Sequence, residues 1–228
     1  MAGKFITFEG GDGSGKTTQV LRLAEALRRS GHDVVTTREP GGTPGADAIR
    51  HVVLSGAAKD LGPNMEAVLF AAARADHLSS VIRPALEKGA IVICDRFHDS
   101  TRVYQAATDE TDLNFLDRLE TATLDGVSPD LTIILDVPAE LGFERARVRR
   151  SEAAADRFEA DELDIHAERR ERFLAIAEDE PERCIVIDGR GEEDEIAEDI
   201  AAAVEDRLGL KADDAKDEAV RSGETVSG

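Results

Sequence analysis

The sequence predicts a three-layer α/β/α sandwich around a five-stranded parallel sheet. Five β-rich runs alternate with helical patterns along the 228 residues, and four of these runs are almost wholly apolar. Strands that helices cover on both faces carry such runs, and the alternation implies right-handed crossovers. A glycine-rich stretch at residues 10–17 supports the same fold, because it lies between the first strand-like run and the first helical pattern.

Each predicted element follows from a local pattern. The second strand-like run contains Thr36 and Thr37, so it is more polar than the others and is expected at an edge of the sheet. Ligands of parallel α/β folds bind at the carboxyl ends of the strands, where charged side chains follow the apolar runs. The strands are expected at residues 5–9, 33–38, 90–95, 131–136 and 184–188, and the helices at 16–30, 44–55, 64–87, 112–125, 138–151, 159–180 and 192–208.

Length and apolar content indicate one domain. With 41% hydrophobic residues the chain can bury a full core, and we expect residues 1–210 to form it. The stretch 151–156 is rich in alanine and lacks large apolar side chains, so a lid is expected at about 145–158. Residues 211–228 have almost no large apolar side chains and are expected to be a disordered acidic tail.

The net charge of −20 indicates which partners and which cellular conditions suit the protein. Such an acidic excess argues against a broad nucleic-acid-binding surface. Only six of the 28 basic residues are lysines, and acid-rich, lysine-poor surfaces suit a salty cytoplasm, where screening weakens self-repulsion. We therefore expect a halophilic source.

Other features predict a cytoplasmic protein. Cys94 and Cys184 lie in apolar runs, which favours buried thiols over a disulfide or a metal site. No signal peptide is visible before the first strand, and no apolar stretch reaches the ~18 residues that span a bilayer.

The clearest motif matches the pattern G-x-x-x-x-G-K-[ST]. It lies between a predicted strand and a predicted helix, which is the context that a phosphate-binding loop requires. Its backbone N–H groups would surround an anion at the helix N-terminus, Lys16 would reach the β- and γ-phosphates of a nucleoside triphosphate, and Thr17 would hold Mg²⁺. The residues assigned to binding this nucleotide are Gly10, Gly11, Asp12, Gly13, Ser14, Gly15, Lys16, Thr17 and Thr18.

Two further clusters lie at strand ends. Asp95 and Arg96 close the third run, where the carboxylate could hold Mg²⁺ and the guanidinium could bind a second phosphate. Arg38 closes the second run before two glycines and can face the same cleft. Salt bridges and plain turns are the alternative interpretations.

Candidates for a second substrate follow. Phe70 and Arg74 are four residues apart, so they share a helix face and could stack on and hydrogen-bond a nucleobase. By spacing alone, a core phenylalanine and a salt-bridged arginine are more common. Downstream of Arg96, hydroxyl, phenol and amide groups lie where a second substrate would bind; these belong to Ser100, Thr101, Tyr104 and Gln105.

Arginines concentrate beside the expected lid. Four lie within residues 145–150 and Arg157 follows, so the lid could close on the phosphates. In phosphoryl transfer one such arginine contributes ~10³-fold or more in rate. A phosphate acceptor needs no general base because its oxygen is already anionic, and no obvious His–carboxylate pair is present in the sequence.

Together these motifs resemble the thymidylate kinase family over about residues 4–208. The resemblance implies Mg²⁺-dependent transfer of the ATP γ-phosphate to dTMP by a cytoplasmic homodimer, without nucleic-acid or membrane partners. It implies that Phe70 stacks on thymine and that Arg74, Thr101 and Gln105 read its edge. Tyr104 would favour deoxyribose.

The same resemblance assigns the remaining roles. Asp12 would hold the 3′-hydroxyl, and Arg96 with Arg38 would bind the dTMP phosphate. Some family members carry the catalytic arginine in the phosphate loop, at the position of Gly13 here, so this chain resembles the class in which the lid supplies it. The choice stays open among Arg147, Arg149 and Arg157.

Two alternatives remain at this point. The protein could phosphorylate another pyrimidine monophosphate, such as dUMP or UMP, or it could be a nucleotide-binding regulatory module without turnover.

Overall fold

The structure is a computed structural model that describes residues 3–105, 112–150 (side chains to 148) and 163–212. The stretch 151–156, Arg157 and residues 213–228 lie outside this part of the chain, so the expected lid and tail stay predictions. Within the described residues, no helix is both long and apolar enough to cross a membrane.

One parallel sheet confirms the predicted fold class. Its order, β2-β3-β1-β4-β5, puts the polar β2 at an edge, as expected, and β1 at the centre. The chain builds one side of the sheet before β4 crosses to the other, so β1 lies at the switch point where ligands bind. The strands are β1 (Lys4–Glu9), β2 (Val34–Arg38), β3 (Ile91–Asp95), β4 (Leu131–Asp136) and β5 (Cys184–Asp188).

The helices lie close to their predicted positions, with two differences. The expected helix 64–87 is divided by a π-helical turn at Leu78–Ile82, and the helix that follows Arg96 was not predicted. The described helices are α1 (Lys16–Arg29), α2 (Pro44–Leu54), α3 (Pro63–His77), α4 (Arg83–Glu87), α5 (His98–Gln105), α6 (Leu113–Leu124), α7 (Ala139–Arg150), α8 (Leu163–Asp179) and α9 (Glu193–Leu208).

Helices cover both faces of the sheet. Alternate side chains of β3 point to opposite faces, so Ile91 and Ile93 pack with α1 and α9, whereas Val92 and Cys94 pack with the π-helical turn and α4. Helices α5 and α8 cover the same face of the sheet as α4, but near β4 and β5. Cys94 and Cys184 are buried free thiols, as expected.

A buried ion pair connects α5 to the sheet. Asp99 is fully buried and accepts hydrogen bonds from Nη1 and Nη2 of Arg183, both at 2.7 Å. Arg183 also donates to Thr132 Oγ1 at 2.8 Å, and that hydroxyl pairs with Thr7 Oγ1 of β1. Burial raises the pKa of Asp99, but His98 and Arg183 lower it below its usual value. The network therefore fixes α5 against the centre of the sheet.

Replacing Asp99 by alanine should lower the free energy of unfolding by about 3 kcal/mol or more, because Arg183 would keep a largely buried charge without its bidentate partner. Urea unfolding measures the change. Arg190→Ala is the control, since its partner Asp188 is solvent-exposed. Equal losses in both variants would contradict this account.

Candidate active site

One cavity of about 730 Å³ opens where β1, β2 and β3 end. Its size suits a nucleotide-sized ligand. The structure brings most of the predicted site residues to this cavity, which is lined by Asp12, Gly13, Gly15, Lys16, Thr17, Arg38, Phe70, Arg74, Asp95, Arg96, Ser100, Thr101, Tyr104 and Gln105, among others.

The N-terminus of α1 forms one end of the cavity. Gly15 precedes the helix with a φ of 92°, a left-handed conformation that glycine adopts without strain, and no side chain caps the helix. The first backbone N–H groups of α1 are therefore left to bind an anion.

Lys16 is the first residue of α1. Its Nζ donates to the carbonyl oxygens of Gly11 (2.7 Å) and Gly10 (3.1 Å) and to Ser14 Oγ (3.2 Å). Burial and the nearby Arg96 lower the pKa of Lys16 to about 8. The loop carbonyls thus hold the ammonium beside the position that a phosphate would take.

Thr17 and Asp95 fit a magnesium site. Thr17 Oγ1 donates to Asp95 Oδ2 at 2.5 Å, which places a hydroxyl and a carboxylate oxygen together at the cavity wall. Mg²⁺ prefers oxygen ligands and commonly binds one or two carboxylates together with substrate phosphates.

Arg96 links the phosphate loop to α5. Its Nη1 donates to Gly10 O and Ser100 Oγ, both at 3.1 Å, and its Nη2 donates to Asp12 Oδ1 at 2.7 Å. The φ of Arg96 is 69°, a left-handed conformation that is strained for a residue with a side chain and is frequent at functional sites. Two of its five N–H groups, on Nε and Nη2, have no partner among the described residues.

Asp12 and Tyr104 form the middle of the cavity. The Tyr104 hydroxyl donates to Asp12 Oδ2 at 3.1 Å, and the ring packs beneath the Arg96 guanidinium, 5.2 Å from its centroid. Burial alone would raise the pKa of Asp12, but Arg96 and Lys16 lower it to about 2. Asp12 is therefore ionised at neutral pH.

The far end of the cavity contains a buried guanidinium and aromatic rings. Arg74 donates to Thr101 Oγ1 at 3.0 Å and lies 5.3 Å from the ring centroid of Phe97. Phe70 and Gln105 line the same region. The sequence left open that Arg74 only forms a salt bridge. Arg74 does pair with Glu39, but it also lines the cavity.

Glu9, at the end of β1, is a site residue that sequence reasoning missed. It is fully buried and accepts hydrogen bonds from Phe97 N (2.8 Å), Ser100 N (3.2 Å) and Ser100 Oγ (2.7 Å). These contacts cap the start of α5 and fix Ser100, which in turn accepts from Arg96. A charged residue closing an apolar strand was the available signal.

Several predicted residues lie away from the cavity wall. Gly10, Gly11 and Ser14 support Lys16, whereas Thr18 is half-buried in α1. Arg38 reaches the cavity rim and lies 3.6 Å from Asp47. The predicted catalytic arginines are the least described, since Arg147 is exposed on α7 and the side chains of Arg149 and Arg157 lie outside the described residues.

The phosphate loop packs directly on α7. A Cβ atom at Gly13 would lie 2.1 Å from the carbonyl oxygen of Gly142, and one at Gly142 would lie 2.7 Å from the carbonyl oxygen of Asp12. Gly13 also has a φ of 73°. No side chain fits at position 13 unless α7 moves.

The Glu9 carboxyl should give a pH-dependent contribution to stability. Burial and the nearby Asp99 raise its pKa from 4.5 to about 7, so the folded state binds the proton more tightly than the unfolded state. The stability from protonated Glu9 is present below pH 4.5 and is lost as the pH rises through 7. The unfolding free energy of the protein minus that of Glu9→Gln should therefore fall between these pH values.

Urea unfolding across this pH range measures the difference. Glu25→Gln, at an exposed carboxylate, provides the control for the loss of one negative charge. Identical profiles for the two variants would contradict the raised pKa of Glu9.

Comparisons with known proteins identify the family of this chain. The sequence model of the family described as Thymidylate kinase matches residues 8–200. The chain is 54% identical to the thymidylate kinase of Bartonella quintana (strain Toulouse), over 88% of this chain and 94% of the relative. It is 52% identical to that of Nitrobacter winogradskyi, over 92% and 91%.

A solved structure gives the same result. The crystal structure of thymidylate kinase from Ehrlichia chaffeensis superposes with a TM-score of 0.72 at 34% sequence identity, covering 90% of this chain and all of that one. Sequence, fold and site geometry lead to one conclusion: this chain belongs to the thymidylate kinase family.

Proposed function

We propose that the protein is a dTMP kinase that transfers the γ-phosphate of ATP to dTMP, giving dTDP and ADP for dTTP synthesis. The continuous cavity carries this proposal. Its phosphate-binding end, formed by Lys16 and the N-terminus of α1, opens into a base-sized end formed by Phe70 and Arg74. An acceptor nucleotide that meets the phosphates of ATP end to end would fill such a cavity.

The acceptor end fits a thymine nucleotide. Phe70 would stack on the base, while Arg74, which can only donate hydrogen bonds, suits a pyrimidine carbonyl. Thr101 and Gln105 border the base. The Tyr104–Asp12 pair would receive the deoxyribose, with Asp12 accepting from its 3′-hydroxyl and Tyr104 crowding its 2′ position.

Positioning and charge would carry the transfer. Arg96, and Arg38 at the rim, would bind the dTMP phosphate through their remaining N–H groups. Lys16 and the α1 amides would bind the ATP phosphates and stabilise charge on the moving phosphoryl group. The acceptor oxygen is already anionic, so none of these residues must remove a proton.

Magnesium is the metal that the donor set favours. Thr17 and Asp95 would hold Mg²⁺ directly or through water. Bound there, the ion would neutralise charge on the phosphates.

The catalytic arginine would come from the lid. The contact between Gly13 and Gly142 supports this, because position 13 has no room for a side chain. Arg147, Arg149 and Arg157 are the candidates.

A homodimer is proposed as the working assembly. Apolar side chains are exposed on three helices that pack side by side on one flank, with Val52 on α2, Met65 on α3 and Leu113 on α6. Sedimentation analysis tests it, and a monomer at micromolar concentration would exclude it.

We propose a halophilic, cytoplasmic setting from the net charge of −20, the scarcity of lysine and the two free thiols. Molar KCl should then raise the melting temperature. An unchanged melt would remove the halophilic part.

The proposed function predicts an order of substrates. The kcat/KM measured by ADP release should be highest for dTMP, lower for dUMP and far lower for dCMP. The methyl group that dUMP lacks is worth ~1–3 kcal/mol, or about 10- to 200-fold in kcat/KM. Lys16→Ala should remain folded without turnover. A preference for UMP would favour the alternative substrate, and no ADP release with Mg-ATP and dTMP in high salt would favour the regulatory module.

Single alanine substitutions at Arg147, Arg149 and Arg157 should identify one position at which kcat falls by ~10³-fold or more. In that variant, a second change, Gly13→Arg, should not restore kcat, because the α7 backbone occupies the space. Steady-state kinetics measures both effects. Three near-normal single variants would refute the lid assignment, and rescue by Gly13→Arg would refute the steric argument.

A further inference from the structure

The hydrogen bonds of Arg74 leave one nitrogen for a ligand. An arginine side chain has five N–H donors. Three are engaged here: Nε donates to Glu39 Oε2 at 2.7 Å, and Nη2 donates to Phe97 O at 3.2 Å and to Thr101 Oγ1 at 3.0 Å. Among the described residues, Nη1 has no partner, and this atom is not fully buried, so a ligand can reach it. Its two N–H groups therefore remain for a molecule in the cavity.

Glu39 holds the opposite edge of this guanidinium. Its carboxylate is buried and accepts the Arg74 Nε bond with one oxygen, while the other lies 3.0 Å from His77 Nδ1. Burial alone raises the pKa of Glu39, but Arg74 and His77 lower it below its usual value. Glu39 is therefore ionised and can only accept, which assigns the proton to His77 Nδ1.

His77 is fixed in turn from its other side. The ring is fully buried, and its Nε2 forms a hydrogen bond of 2.6 Å with Thr37 Oγ1. A Cβ atom at Gly42 would lie 2.6 Å from Nε2, so glycine is what lets the backbone close over the ring. A continuous chain of contacts thus runs from the end of β2 to Arg74.

We propose that Glu39 and His77 are positioning residues that hold the Arg74 guanidinium in one orientation, so that its Nη1 donors select a pyrimidine with a carbonyl at position 4. The inference rests on the proposed dTMP kinase function and extends it to Glu39, which lines the cavity beside Arg74, and to His77, which does not line it. An amino group at position 4, as in cytosine, is itself a donor and would face the Nη1 donors without a bond.

Orientation is the property that selectivity requires here. A free guanidinium could rotate to present another edge or withdraw from an unfavourable group, and discrimination would fall. A guanidinium fixed by a carboxylate and by two acceptors from α5 and its preceding turn has no such freedom, and an unpaired polar contact then carries its full cost.

The test replaces Glu39 by glutamine, which keeps the shape but removes the negative charge. The Michaelis constant for dTMP should rise about 10-fold while kcat and the Michaelis constant for ATP change less than about twofold, because ground-state binding of one substrate is lost. The inhibition constant of dCMP against dTMP should stay within about twofold. The preference for dTMP over dCMP therefore falls.

Glu180→Gln is the matched control. Glu180 accepts hydrogen bonds from Arg183 Nε at 2.6 Å and from Arg102 Nη1 at 2.5 Å and lines neither the main cavity nor the small one beside Arg74, so the same chemical change breaks an ion pair elsewhere. It should leave both nucleotide constants unchanged. Equal effects in the two variants would overturn the proposal, as would an unchanged ratio of the dTMP and dCMP constants.

A second variant covers the case in which Glu39→Gln does not fold. Thr37→Val is isosteric and removes only the hydroxyl that hydrogen-bonds to His77 Nε2. It should raise the dTMP constant about two- to fivefold, with kcat preserved. An unchanged constant would overturn the proposal.

Calorimetric binding of dTMP to the unmodified protein separates the two levels of inference. If that protein neither binds nor phosphorylates dTMP, the proposed function fails. If it does both and Glu39→Gln behaves identically, only the positioning role fails.

Discussion

The structure of the site depends on one guanidinium that lies between two parts of the chain. Arg96 hydrogen-bonds to Gly10 and Asp12 in the phosphate loop and to Ser100 in α5. Glu9 completes the link, because it ends β1 directly before the loop and also binds the backbone of Phe97 and Ser100. A shift of α5 would therefore displace the phosphate loop, and the two ends of the cavity keep a fixed separation.

The charges of the cavity are balanced before any ligand binds. Asp12 and Glu39 are paired with Arg96 and Arg74, and the Lys16 ammonium is held by carbonyl oxygens. Each pair satisfies only part of the donor capacity of its arginine. A buried cation without a partner would be costly, whereas a half-satisfied arginine is stable and still attracts an anion or a carbonyl. The fold thus keeps positive groups in place without requiring substrate to hold them.

Sequence patterns predicted the sheet and most helices because these depend on local regularities. Apolar runs located all five strands to within a residue, and the glycine motif located the start of α1. Helix α5 was missed, since its sequence is polar and its first turn is held by Glu9, a contact that the sequence does not reveal. Glu39 and His77 were also missed, because their hydrogen-bond partners are distant in sequence. Arg74 was identified only jointly with the resemblance, because an arginine four residues from a phenylalanine is usually structural.

The π-helical turn at Leu78–Ile82 has a consequence for the evolution of this chain. The continuous helical segment serves two purposes. Helix α3 presents Phe70 and Arg74 to the cavity, whereas Ile82 of the π turn and Ala85 of α4 pack against the sheet. A π turn contains one residue more than an α turn would, so the extra residue is taken up within one turn and the helix before and after it keeps its direction. Deleting a single residue there would give a regular α-helix whose two parts still face the cavity and the sheet. This turn is therefore the place in the helix where the chain can change length by one residue without moving Phe70 and Arg74 relative to the core.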